Sequence, residues 1–95
     1  MNLRFDLLAA HVGETFIVVA AAADGTETEI DVVLSEALPG PDDQPGGVLH
    51  FFGPTESRLV QGTYSVRHPD IGEGPLFIVP IARSDEAMTY ESVFG

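Results

Sequence analysis

Apolar residues at Phe5, Leu8, Ala9 and Val12 fall on one stripe at helical spacing, which predicts a short helix from Arg4 to Val12. Gly13 suits the position just past its end. The pattern then changes to alternation. Thr15 to Ala23 and Thr26 to Ser35 flank Asp24-Gly25, a dipeptide favoured in two-residue hairpin turns. That turn sets Ala23 opposite Thr26, Val19 opposite Ile30 and Ile17 opposite Val32, so Ile17, Val19, Ile30 and Val32, with Leu34, would form the apolar face. The other face would be wet near the turn, with Phe16 facing Val33 farther down under cover of the helix.

Periodicity stops from Leu38 to Gly47, where three prolines and three glycines in ten residues predict an exposed, mobile loop. Val48 to Phe52 is a short strand ended by Gly53-Pro54, and Thr55 to Gln61 connects it to a three-stranded meander. The meander runs Gly62 to His68, Leu76 to Ala82 and Ala87 to Phe94. Pro75 and Pro80 cannot donate ladder hydrogen bonds, so the middle strand must be bulged or lie at an edge. About six short strands punctuated by turns predict an all-β fold, a small antiparallel barrel, roll or sandwich with one N-terminal helix. Residues 1–95 make one domain.

Charge narrows the functions. Fifteen acidic residues face four arginines and no lysine, for a net charge of −11. Such a surface repels phosphate backbones, so no nucleic-acid partner is expected. The longest apolar run, Phe16 to Ala23, is far too short to span a bilayer, so no membrane insertion is expected. With no leader pattern and no cysteine, the expected compartment is the cytoplasm.

Candidate chemistry is sparse. Serines fall in no nucleophile-elbow pattern, and Gly72-Glu73-Gly74 lacks the later glycine and helix of a phosphate loop. His11 lies on the helix, His50 in a strand and His68 at a strand end, none at a recognised ligand spacing. A meeting of His50 and His68 across strands, with Asp70 nearby, is the one arrangement that would make an acid/base or metal site. Glu27, Glu29 and Asp31 point to one side of a strand, about 6.5–7 Å apart, too wide for one hard cation unaided. No catalytic residue, cofactor or metal ligand is therefore assigned, and no enzymatic activity is expected. The candidate interaction residues are Asp42 and Asp43 in the loop, together with Phe51 and Phe52. Neighbouring phenylalanines on a strand point to opposite faces, which leaves one outside the core for a partner.

Phe5-x-x-Leu8, Gly13-x-x-Phe16, Gln61-Gly62-x-Tyr64, His68-Pro69-x-x-Gly72, Phe77-x-Val79-Pro80 and Tyr90-x-x-Val93-Phe94 together resemble a family of short bacterial proteins classed as a domain of unknown function. The resemblance implies encoding near phage-tail-collar-like fibre proteins, and an accessory or assembly role in a tail-fibre-like or appendage system. It carries over no catalytic residue. The reading is a non-enzymatic interaction or assembly module with a protein partner, and with homo-oligomerisation through strand edges as a second route. The alternatives are a small-ligand or divalent-metal-binding β-barrel and, third, a small hydrolase or isomerase.

Overall fold

A computed structural model describes residues 3–41, 46–56 and 59–94. A short helix, α1 (Phe5–Ala9), precedes six strands: β1 (Thr15–Ala21), β2 (Glu27–Pro39), β3 (Gly47–Gly53), β4 (Gly62–His68), β5 (Gly72–Arg83) and β6 (Met88–Phe94). All neighbours are antiparallel, and the order β1-β2-β3-β6-β5-β4 closes into a barrel when β4 returns to β1. The helix is shorter than its stripe predicts. The chain turns through His11 to Gly13, where Gly13 takes φ 93° and its N–H donates to Leu34 O at 2.7 Å. Phe5 and Leu8 are buried under the barrel end, but Val12 is exposed.

The first hairpin is one residue out of the expected register. Phe16 lies opposite Val32 and Val18 opposite Ile30. The connection is a three-residue loop rather than a two-residue turn: Ala22 N–H donates to Thr26 O (2.7 Å) and Gly25 adopts φ 90°. Asp24 Oδ1 accepts the Thr26 N–H at 2.9 Å, and this bond holds the carboxyl below its usual pKa. A slip of one residue exchanges the faces of β1, so Phe16 and Val18 point inward while Ile17 and Val19 face outward. On β2 the inward set Ile30, Val32 and Leu34 is as expected.

The expected mobile loop is also shorter at both ends, because Leu38 and Pro39 pair with Val48 and Gly47. A Cβ at Gly47 would fall 2.3 Å from Leu38 O and 2.9 Å from the Phe5 ring, so only glycine fits where helix and strands converge. Pro75 sits where β5 pairs with β4 alone, and the register of β5 against β6 shifts between Pro80 and Ala82, which accommodates both prolines. Among the described residues, β5 from Gly72 to Ile78 pairs with β4 but has no register partner on β6.

Side chains fill the interior. Phe16 and Phe51 meet edge to face with centroids 5.8 Å apart. Buried Tyr90 accepts the Leu59 N–H at 3.0 Å, which ties the β3–β4 connector to the core. The residual gap among Val18, Val32, Phe51, Val66 and Tyr90 admits no water-sized body. Phe77 points outward and is half exposed. None of the described helices is long and apolar enough to cross a membrane.

Candidate functional site

Strands β2, β3 and β6 lie side by side, and their outward positions form three rows. Leu38, Val48 and Val93 make the first, Glu36, His50 and Glu91 the second, and Val33, Phe52 and Thr89 the third. The bulge between Leu34 and Glu36 brings Glu36 into line with His50, and Ser35 Oγ donates to His50 O at 3.0 Å within that irregularity. His50 Nε2 and Glu91 Oε2 stand 3.1 Å apart. The flanking apolar side chains are unusually open: Val93 is 62% exposed, Phe52 48% and Leu38 44%. A band of this kind, divided by carboxylates, suits an apolar surface that carries cationic groups.

Phe51 and Phe52 divide as their alternation requires, with Phe51 in the core and Phe52 on this face. Asp42 and Asp43 lie outside the described residues. Glu27, Glu29 and Asp31 are exposed, and Glu29 forms an ion pair with Arg67 on β4. Ile17, Thr15, Pro69 and Arg67 line an outer groove of about 560 Å³ beside them.

His50 and His68 do not meet, because β6 and β5 stand between their strands in the barrel order. His68 instead points inward at the mouth, its side chain 3% exposed, between the rings of Phe16 (4.7 Å) and His11 (4.6 Å). Its Nε2 lies 2.7 Å from Glu14 Oε1, an atom also 3.0 Å from His11 Nδ1. Hydrogen bonds from His11 first, then His68, hold the Glu14 carboxyl below the usual range. Leu34 N–H donates to Glu14 O at 3.0 Å and thereby pins the residue at the mouth. Sequence spacing does not reveal this cluster. Glu14 and His68 are 54 positions apart, and only closure of β1 onto β4 joins them. The same applies to Glu91, 41 positions from His50.

The architecture defines a class: a closed, six-stranded antiparallel barrel with a packed interior, whose candidate binding features among the described residues lie on its outside or at its mouth. A family model for DUF6916, a domain of unknown function, matches residues 3–94, and the chain belongs to that family. No curated protein and no solved structure matches it.

Proposed function

We propose that the protein is a non-enzymatic docking module, an assembly or accessory factor whose partner presents a basic protein surface. The observation that carries this reading is the outer face of β2, β3 and β6. There, exposed Phe52, Leu38 and Val93 flank the carboxylates of Glu36 and Glu91. With a net charge of −11 and no lysine, the chain steers cationic partners toward itself and away from copies of itself. The apolar rows then supply the desolvated contact that holds a complex. The sequence resemblance makes subunits of a tail-fibre-like or appendage system the first partners to try.

The test compares capture from the native host by the wild-type chain and by a Phe52→Ser/Val93→Ser variant of unchanged circular dichroism. A basic protein retained by the wild type, lost with the variant and released by raised salt is the expected result. Equal capture by both chains, or a partner without basic character, would overturn the reading. So would light scattering that shows a dimer of the wild type abolished in the variant, since the face would then belong to a second copy.

A further inference from the structure

We propose that His11, Glu14, His68 and Asp70 form a site at the barrel mouth for one divalent transition-metal ion of the zinc class. Each offers one ligand atom, and these atoms all lie within 4.8 Å of one another. The donor set, two imidazoles and two carboxylates, is borderline-soft. It suits zinc, cobalt or nickel, whose bonds to such ligands are about 2.0–2.2 Å, and it lacks the six or more oxygens that calcium takes.

The four residues come from two segments held together by the fold. His11 sits in the turn after α1, Glu14 just before β1, His68 at the end of β4 and Asp70 in the turn to β5. The hydrogen bonds of Gly13 N–H to Leu34 O and of Leu34 N–H to Glu14 O fix the first segment against β2. Burial between Phe16 and His11 fixes the His68 ring. This is unlike the exposed acidic row on β2, whose three carboxylates come from alternate positions of a single strand.

Loading has a proton balance. Asp70 N–H donates to His68 Nδ1 at 3.1 Å, so the neutral ring carries its proton on Nε2, facing Glu14. Coordination through Nε2 requires the ring to change tautomer: the Nε2 proton passes to water and Nδ1 takes one from water, with no net proton released by His68. The Asp70 amide can no longer donate there, so the Pro69–Ile71 turn must rotate it away as the ion enters. The ion therefore replaces two hydrogen bonds to Glu14 and couples to one backbone amide.

Titration calorimetry of the full chain with zinc chloride alone, in excess magnesium, tests this. One equivalent is expected to bind, with affinity reduced at least tenfold in His11→Gln and in Glu14→Gln, and unchanged in His50→Gln. In proton–nitrogen spectra the Asp70 amide is expected to be among the largest shifts. His68→Gln serves as a further variant only if its circular dichroism is native. Binding that magnesium abolishes, that His11→Gln and Glu14→Gln leave intact, or that His50→Gln removes would overturn the proposal. An Asp70 amide that stays still on loading would exclude coordination through His68 Nε2.

Discussion

Adjacent phenylalanines on β3 should answer very differently to the same truncation. Phe51 is 1% exposed and stacks edge to face on Phe16, so Phe51→Ala opens a cavity at the barrel centre. Changes of that kind cost about 3–5 kcal/mol. Phe52 is 48% exposed, so its truncation forfeits at most about 1 kcal/mol of burial. A domain of this size is stable by roughly 5–14 kcal/mol, so the Phe51→Ala change removes a large share of the total and, at the lower end of that range, nearly all of it. The two variants should differ by at least about 2 kcal/mol, or on the order of 10 °C in Tm. Urea titrations followed by far-ultraviolet circular dichroism, suited to a chain without tryptophan, measure the gap. Equal losses, or a greater loss for Phe52→Ala, would refute the assignment of inside and outside on β3. With it would fall the docking face, which needs Phe52 to contribute to binding and not to the core.

The hairpin register is open to a similar comparison. Val18→Thr buries a hydroxyl in the core and should cost about 1–3 kcal/mol, whereas Val19→Thr, facing Glu29 and Ser65 outside, should stay within about 0.5 kcal/mol in the same titration. For Asp24, whose pKa is depressed by the Thr26 amide, the stabilisation is present above the ordinary value of 3.8 and disappears as pH falls through the lower folded value. The stability of the wild type minus that of Asp24→Asn should therefore be flat near neutrality and shrink below pH 3.8, as read by thermal melts across pH.

The barrel was legible because β2 and β6 alternate and the turns carry glycine and proline. On β2, Ile30, Val32 and Leu34 identify the inner face whatever their partner strand does. The register of β1 was not legible, because Thr15 to Ala21 is apolar on both faces and its pattern prefers neither. The choice then fell to Asp24-Gly25, and a loop longer by one residue reversed it. Val12 misled for a related reason: it continues the helical stripe, yet Gly13 and the pull of Leu34 O end the helix earlier. The split between Phe51 and Phe52 follows from local alternation and could be read directly. The carboxylates beside Phe52 and the group around Glu14 are products of closure, with partners many strands away in sequence order, so no local spacing announces them.

Barrel closure itself depends on a short zip. Ile17 with Arg67, Val18 with Val66 and Val19 with Ser65 are the only rungs that join β1 to β4 among the described residues. Across the outside of these rungs, Arg67 reaches Glu29 and approaches Glu73 at 3.7 Å, like an ionic clasp. Breathing of this cylinder should begin there, with amide exchange at Val18 and Val66 quickening first as salt loosens the clasp.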